Sequence, residues 1–274
     1  MSTPAPTPFP ATRATNLSTR LLIGTGDDVG IGGFIVTGNG PRYLLLRGVG
    51  PLLANFGIPN FLADPTLELH GPAGFTTITN NNWRDTREDA VIATGRAPSN
   101  NLESAIVADL APGAYTAVVA GNTDATGVGL LEIYDLSPNQ DSKLANISTR
   151  ANVRTGDDIV IAGFILGAGS GGENAIIVRG LGPSLSEWGL SALQDPKLEL
   201  RNSQGALVAS DDNWMDDPNQ AAIIQAAGLA PSNNLESAIS ATLMPGDYTA
   251  LLSGVNNGTG IGLVEVYDRG APAH

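Results

Sequence analysis

Cysteine is absent from the 274 residues of this chain, and histidine occurs only twice. The lack of cysteine excludes disulfide bonds, thiolate metal sites and cysteine nucleophiles. A Ser-His-Asp triad or a zinc site would have to depend on His70 or His274 alone, so neither is expected. We interpret His70 as a polar residue on the solvent face of a strand.

Basic residues are scarce as well. The chain has 14 lysines and arginines against 27 acidic residues, which gives a formal charge of −13 and a pI near 4.4. So negative a surface repels nucleic acids and anionic membranes, and no basic cluster offsets it. The sequence also lacks an apolar run of the roughly 18 residues that a membrane span needs. We therefore expect neither nucleic-acid binding nor membrane insertion.

Aromatic residues make up only 5% of the chain, whereas glycine supplies 34 of its residues. An excess of glycine indicates many tight turns. The hydrophobic content of 42% is sufficient for a sizeable core at this length. This composition favours short strands joined by turns.

The second half of the chain repeats the first at a spacing of about 130 residues. The longest match is Ala97-Pro-Ser-Asn-Asn-Leu-Glu-Ser-Ala-Ile106 against Ala230-Pro-Ser-Asn-Asn-Leu-Glu-Ser-Ala-Ile239. Shorter matches are Asn16-Leu-Ser-Thr-Arg20 with Asn146-Ile-Ser-Thr-Arg150, Thr25-Gly-Asp-Asp28 with Thr155-Gly-Asp-Asp158, and Arg47-Gly-Val-Gly-Pro51 with Arg179-Gly-Leu-Gly-Pro183. This repeat unit is longer than the roughly 20 to 50 residues of solenoid repeats, so each unit is expected to close its own core.

The repeat predicts five segments. They are an extended Pro/Thr-rich arm at 1–15, a first sandwich domain at 16–136, a linker at 137–145, a second sandwich domain at 146–269 and a tail at 270–274. We refer to the two domains as the first and second copy. Each copy is expected to fold independently.

Within each copy, runs rich in Val, Ile, Leu, Thr and Tyr alternate with clusters of Gly, Pro, Asn and Asp. The pattern predicts an all-β fold of two tandem, jelly-roll-like β-sandwiches. Short helices are predicted at 87–94 and 219–227, and Pro112-Gly113 and Pro245-Gly246 are interpreted as hairpin turns. The strands predicted in the first copy are 17–23, 29–36, 42–47, 66–70, 75–79, 102–108, 114–120 and 129–134.

Three glutamates recur at equivalent strand positions in the two copies, and paired carboxylates are all that glycoside hydrolysis requires. They are Glu68 with Glu199, Glu103 with Glu236, and Glu132 with Glu265. Arginines also recur, as Arg47 with Arg179 and Arg20 with Arg150, so we interpret the glutamates as members of structural ion pairs. A carboxylate-based hydrolase is the less favoured alternative, and the chain is predicted not to be an enzyme.

Acidic and amide side chains cluster in the second copy in a pattern that suits calcium, which prefers oxygen ligands. The candidate ligands are Asp211, Asp212, Asn213, Asp216, Asp217, Asp157 and Asp158. The matching segment of the first copy, 80–85, has a single acid, so the second copy is expected to bind calcium better. The alternative is that these side chains only bond backbone N–H groups in their turns.

Tryptophan follows a turn asparagine in both copies, as Trp83 and Trp214, while Trp188 has Phe56 as its counterpart. An exposed indole ring stacks well on a sugar ring, so Trp83 and Trp214 are candidate glycan-binding residues. A tryptophan that recurs in a chain with so few aromatic residues is more typical of a core anchor, which is the role we favour. The Arg47-Gly-Val-Gly-Pro51 segment lacks the Gly-Lys-Ser/Thr of a nucleotide loop and is interpreted as a sharp turn.

The second copy resembles the bacterial pre-peptidase C-terminal-type sandwich domains, and the first copy shows the same order of motifs. The segments that carry the resemblance are Pro196-Lys-Leu-Glu-Leu200, Ser203-Gln-Gly205, Asp211-Asp-Asn-Trp214, Leu243-Met-Pro-Gly-Asp-Tyr-Thr249 and Leu263-Val-Glu-Val-Tyr-Asp268. The resemblance implies a non-catalytic extracellular module, in some cases stabilised by calcium, of the kind that recurs in large secreted bacterial surface proteins.

We therefore expect an extracellular or cell-surface protein of structural or adhesive function, whose signal peptide has been removed. Its expected partners are further copies of itself or other cell-surface components. Self-assembly into a filament or surface layer is expected to proceed through the arm and its Phe9. A glycan-binding accessory module, stabilised by calcium, is the alternative.

Overall fold

The computed structural model describes residues 13–137, 142–167 and 172–271. Within them the chain forms sixteen strands and two short α-helices, α1 (Glu88–Ala93) and α2 (Pro218–Ala226). The strands of the first copy are β1 (Arg13–Ile23), β2 (Gly30–Thr37), β3 (Arg42–Val49), β4 (Pro65–His70), β5 (Ile78–Asn80), β6 (Ser104–Leu110), β7 (Gly113–Gly121) and β8 (Gly127–Asp135). Those of the second copy are β9 (Lys143–Val153), β10 (Val160–Gly167), β11 (Asn174–Leu181), β12 (Pro196–Asn202), β13 (Leu207–Asp211), β14 (Ser237–Leu243), β15 (Gly246–Gly254) and β16 (Gly260–Asp268).

Each copy is a jelly roll of two facing four-stranded sheets. In the first copy the sheets have the strand orders β1-β8-β3-β6 and β2-β7-β4-β5, and the second copy has β9-β16-β11-β14 and β10-β15-β12-β13. The chain changes sheet at nearly every connection, as two interlocked Greek keys require. The predicted all-β fold of two tandem jelly-roll-like sandwiches is confirmed.

The strands follow directly from alternation in the sequence. In β2, Phe34 and Val36 are buried while Ile35 between them is partly exposed, because successive side chains of a strand point to opposite faces. All eight strands predicted in the first copy overlap observed strands, and both predicted helices are present within one residue at each end. Among the described residues, no helix has the length and apolar character needed to cross a membrane.

The interpretation of the Pro-Gly pairs as hairpin turns is wrong. Strands β6 and β7, on either side of Pro112, belong to different sheets, and β14 and β15 do likewise in the second copy. The chain arches across the sandwich here, and the arch is held where the Tyr115 hydroxyl donates to the carbonyl of Ala111 at 2.9 Å. Proline and glycine fix a change of direction, but the strand pairing is decided by the sheets that the chain joins.

The two copies are joined by their sheets as well as by the linker. Strand β1 of the first copy pairs antiparallel with β10 of the second, and β2 pairs in the same way with β9. Both sheets therefore run through the molecule as eight-stranded sheets, half from each copy. The two copies are related by pseudo-two-fold symmetry, because β1 pairs with β10 as β9 pairs with β2. The equivalent residues Thr19 and Thr149 meet across the sandwich with their hydroxyl oxygens 2.8 Å apart.

One apolar core extends through both copies. Leu17 and Phe34 of the first copy belong to the same buried cluster as Ile147 and Phe164 of the second. An isolated copy would leave two paired strands without partners and would open this core to water, so independent folding of each copy faces a physical cost that the sequence alone did not reveal.

The last residues of the predicted arm are part of this junction. Strand β1 begins at Arg13, and Ala14 pairs with Leu166 of the second copy. The Ala14 N–H also donates to the carboxylate of Asp268 at 3.0 Å. Phe9, the residue predicted to mediate assembly, lies outside the described residues, so its role stays a prediction.

We predict that the second copy alone, expressed as residues 142–271, forms a dimer in solution. Its β9 and β10 offer the same two edges that pair with the first copy, and a two-fold dimer would bring β9 of one chain beside β10 of the other. Size-exclusion chromatography with light scattering measures the mass. A monomer that melts cooperatively would instead support the independent folding expected from the sequence.

Candidate functional site

The repeated Arg-Gly-x-Gly-Pro segment forms a turn between β3 and a short 3-10 helix, Pro51–Phe56. A β-carbon at Gly50 would collide with the carbonyl oxygen of Leu62, so only glycine fits at this close approach. The turn is closed by Glu103, which is fully buried and accepts a 2.8 Å hydrogen bond from the N–H of Leu52. This segment is structural, as its interpretation as a turn predicts.

The equivalent glutamate of the second copy is better satisfied. Glu236 accepts from the N–H of Gly182 at 3.1 Å and from both the N–H and the hydroxyl of Ser184, at 3.0 and 2.5 Å. In the first copy Leu52 replaces this serine, so Oε1 of Glu103 lacks the hydroxyl donor that Ser184 supplies to Oε1 of Glu236. Separately, Oε2 of Glu103 has no hydrogen-bond partner, whereas Oε2 of Glu236 accepts from the N–H of Asn233 at 3.4 Å. Burial raises the pKa of Glu103 above its ordinary value, because desolvation disfavours the charged form.

The second pair of glutamates forms ion pairs with arginine, as predicted. Arg47 contacts the carboxylate of Glu132, which also accepts a 2.7 Å hydrogen bond from the hydroxyl of Tyr134. Burial, and then the negative charge of Glu132, raise the pKa of Tyr134 to about 12. The second copy repeats the arrangement with Arg179, Glu265 and Tyr267.

The third pair, Glu68 and Glu199, lies on a more exposed face. Glu199 contacts Arg201 at 2.5 Å, and this hydrogen bond holds the pKa of Glu199 below its ordinary value. Glu68 contacts His70 at 3.1 Å, and both side chains are about half exposed, so His70 lies on a solvent face as predicted. The predicted ion pairs with arginine are therefore present at Glu132, Glu265 and Glu199. They are absent at Glu103 and Glu236, which accept hydrogen bonds from backbone N–H groups, and Glu68 contacts His70 instead.

Trp83 and Trp214 are buried, with 3% and 5% of their surfaces exposed. Each indole N–H donates to a backbone carbonyl of the long repeated motif, that of Asn100 at 3.1 Å and that of Asn233 at 3.2 Å. The prediction that these rings stack on sugar is therefore wrong, because neither ring has a free face. They are core anchors that hold the repeated motif against the outer face of a sheet.

The acidic segment of the second copy consists largely of turn and helix caps. Asp217 accepts from the N–H groups of the first turn of α2, and Asp211 accepts from the N–H of Ala238 at 2.8 Å. Asp216 bonds the side chain of Asn213 at 3.4 Å, while Asp212 lies beside them in an open depression. Within the described parts of the chain, no group of three or more His, Cys, Asp or Glu residues is arranged to hold a metal ion.

Asp157 and Asp158 lie elsewhere, in one of two clefts at the junction of the copies. The first cleft, of about 600 Å³, brings Asp27 and Asp28 of the first copy against 186–194 and 259–261 of the second. The second cleft, of about 560 Å³, is its pseudo-symmetric equivalent. It is lined by Asp157 and Asp158 together with Arg20, Phe56, Gly57, Ile58, Pro59, Asn60 and Val128 of the first copy.

Both clefts lie at the same end of the molecule. The turn that carries Asp157 leads directly into β10. The first residues of β10 pair with the last residues of β1, and the turn that carries Asp27 follows β1. Reciprocal hydrogen bonds join the turns across the junction. Arg20 donates to the carbonyl of Asp157 at 3.2 Å, and the Asn152 amide donates to the Asp28 carboxylate at 3.2 Å.

An exposed aromatic ring accompanies each cleft. Phe56 is 73% exposed and lines the second cleft. Trp188 is 80% exposed and occupies the equivalent position beside the first cleft, between the lining residues Ser186 and Gly189. The sequence shows that Phe56 and Trp188 correspond, but only the fold shows that these rings are exposed and next to the paired aspartates.

Comparison with known proteins leaves the chain without an assigned family. No family model matches it, and no curated protein matches its sequence. Among solved structures it is similar to PNGF-II, with 12% identity and a TM-score of 0.24 over 97% of this chain, which spans 58% of that chain. It is also similar to a DUF4785 family protein from Legionella pneumophila, with 8% identity and a TM-score of 0.24, covering 95% of this chain and 67% of that one. The resemblance to pre-peptidase C-terminal-type domains stays an expectation.

We predict that Asp211→Asn stabilises the protein at pH 7 by about 1 to 2 kcal/mol. Burial, then the acids at 212, 216 and 217, raise the pKa of Asp211 to about 6 from an ordinary 3.8. The native state therefore loses stability as the pH rises from about 4 to 6, and the amide removes this loss. The first copy already has Asn80 here, which accepts from the N–H of Ala105.

Thermal unfolding of both proteins between about pH 3 and pH 7 checks this prediction. The gain should shrink as the pH falls and become small near the acidic end, below the ordinary pKa of 3.8, where Asp211 is mostly protonated in both states. A loss of stability at pH 7 would contradict it. A calcium-dependent rise in Tm that Asp211→Asn abolishes would support the calcium site expected from the sequence.

We also predict that Leu52→Ser stabilises the protein by about 1 kcal/mol at pH 7, because the new hydroxyl can bond the Glu103 carboxylate as Ser184 bonds Glu236. The reverse change, Ser184→Leu, is the matched control and should destabilise by a similar amount. Urea unfolding measures both. Destabilisation by Leu52→Ser would show that the apolar contacts of Leu52 outweigh the missing hydrogen bond.

Proposed function

We propose that the chain is a non-catalytic carbohydrate-binding protein, secreted or displayed at a cell surface, whose binding sites are the two junction clefts. The observation that carries the proposal is the exposed aromatic ring at equivalent positions beside both clefts, Phe56 and Trp188. In a chain with few aromatic residues, these are the two most exposed large hydrophobic side chains of the described structure. Adhesion to a glycan-bearing surface is the corresponding biological role.

The composition of the clefts supports this proposal. An exposed aromatic ring offers an apolar face on which the C–H face of a sugar can stack. The neighbouring Asp, Asn, Ser and Gln side chains offer acceptors and donors for sugar hydroxyls. Clefts of about 600 and 560 Å³ are within the range of small-molecule sites in proteins, about 300–1,000 Å³.

The placement of the glutamates supports a non-catalytic role. A glycosidase needs one carboxyl group free to protonate the leaving group and a second to act as base or nucleophile. Glu132 and Glu265 are engaged by arginine, and Glu103 and Glu236 close backbone turns. On another face of the molecule, Glu199 pairs with Arg201 and Glu68 contacts His70. A structural role through self-assembly of the arm remains a separate hypothesis.

The test is binding to an array of neutral, acidic and amino-sugar oligosaccharides, followed by calorimetry with the strongest ligand. We expect the double variant Phe56→Ala, Trp188→Ala to lose at least about tenfold in affinity, about 1.4 kcal/mol, with little change in Tm because both rings are exposed. The control is Met244→Ala, which removes another exposed apolar side chain, 54% exposed, that lines neither cleft. Absence of glycan binding, or binding that survives the double variant, would contradict the proposal.

A further inference from the structure

The two clefts differ in charge. Asp27 and Asp28 are the charged residues that line the first cleft, and its described lining contains no lysine, arginine or histidine. The Asp27 side chain is exposed, whereas the Asp28 carboxylate is partly buried and accepts from Asn152. The remaining side chains are uncharged hydrogen-bonding or small apolar groups. The residues that line the first cleft therefore carry negative charge only. Arg150, the counterpart of Arg20, pairs with Ile31 on the strand that follows the aspartate turn and is not among these lining residues.

The second cleft carries a cation. Arg20 is part of its lining and donates a hydrogen bond to the backbone of Asp157, so its positive charge stands beside the two aspartates. Ile58, Pro59 and Val128 make this cleft more apolar. Because the two clefts occupy equivalent positions in the repeat, the second serves as a comparison for the first, although their linings also differ in apolar residues.

We infer that the first cleft selects sugars that bear a protonated amine, such as glucosamine units, over neutral or acidic sugars. The inference rests on the proposed function and names its ligand class. Trp188 directly precedes Gly189, which lines this cleft together with Asp27 and Asp28. An ammonium group on a sugar bound in the cleft would meet these carboxylates, and a charge-assisted hydrogen bond is stronger than a neutral one. The indole face itself attracts a cation.

The charge of the whole chain acts in the same direction. A formal charge of −13 attracts cationic ligands from solution and repels anionic ones. Sugars with carboxylate or sulfate groups would meet two aspartates with no cation in the first cleft to balance them. The same argument excludes uronic and sialic acids as preferred ligands there.

Calorimetry on the full chain with three matched tetrasaccharides tests this inference: β-1,4-linked glucosamine, its fully N-acetylated form, and cellotetraose. We expect the glucosamine tetramer to bind at least tenfold more tightly than the other two, and the preference to shrink at high salt, which screens the attraction. Asp27→Asn, alone and combined with Asp28→Asn, should reduce the ratio of glucosamine-tetramer affinity to cellotetraose affinity to less than threefold, because an amide still hydrogen-bonds hydroxyls but carries no charge. Asp157→Asn with Asp158→Asn should reduce the preference less.

The outcomes separate the inference from the proposed function. If all three tetrasaccharides bind equally, the amine selectivity is overturned while carbohydrate binding stands. If none binds and the array is also blank, the proposed function fails. A preference that persists in the Asp27, Asp28 variant would place the amine elsewhere and overturn the inference. Equal competition by spermidine, a polyamine without a sugar ring, would show simple ion exchange and would also overturn it.

Discussion

Two pairs of antiparallel strands, β1 with β10 and β2 with β9, carry the sheets of one copy into the other. This pairing satisfies the backbone groups of four strands that would otherwise be sheet edges. It also closes a single apolar core in which Leu17 and Phe164, from different copies, are both buried. The remaining features of the molecule depend on this junction, because it fixes how the turns of one copy face the loops of the other.

The clefts are a product of that geometry. Neither copy can form one alone, since each combines the aspartate turn of one copy with the 3-10 helix and strand start of its partner. The internal repeat therefore supplies two clefts at equivalent positions. Sequence differences between the copies give each cleft its own set of lining residues. Phe56, which lines the second cleft, corresponds to Trp188 beside the first, and Arg20 is among the lining residues of the second cleft.

Local sequence patterns were sufficient to predict the fold class, because alternation and turn residues report directly on strands. They also predict that repeated arginines pair with repeated glutamates, but which partners meet, such as Arg47 and Glu132, depends on which strands are neighbours in the sheet. Strand pairing between copies was not predictable, since β1 and β10 resemble any half-buried strand and their partner is decided by the tertiary structure. The Pro112-Gly113 arch was mistaken for a hairpin for the same reason.

The candidate site was harder to predict than the fold. The exposure of an aromatic side chain depends on what covers it, so sequence could not separate the buried Trp83 from the exposed Trp188. Glutamates that recur in both copies suggest catalytic groups in the sequence. In the structure Glu103 and Glu236 instead close turns by accepting hydrogen bonds from backbone N–H groups. The sequence predicts Asp157 and Asp158 as calcium candidates, but it does not show that the fold places each aspartate pair against loops of the other copy.

Differential scanning calorimetry of the intact chain tests the central claim, that the two copies form one cooperative unit. A shared core and shared sheets predict a single transition in which the calorimetric enthalpy equals the van't Hoff enthalpy. Two separable transitions, or a calorimetric enthalpy about twice the van't Hoff value, would show that the copies unfold independently and would contradict the account.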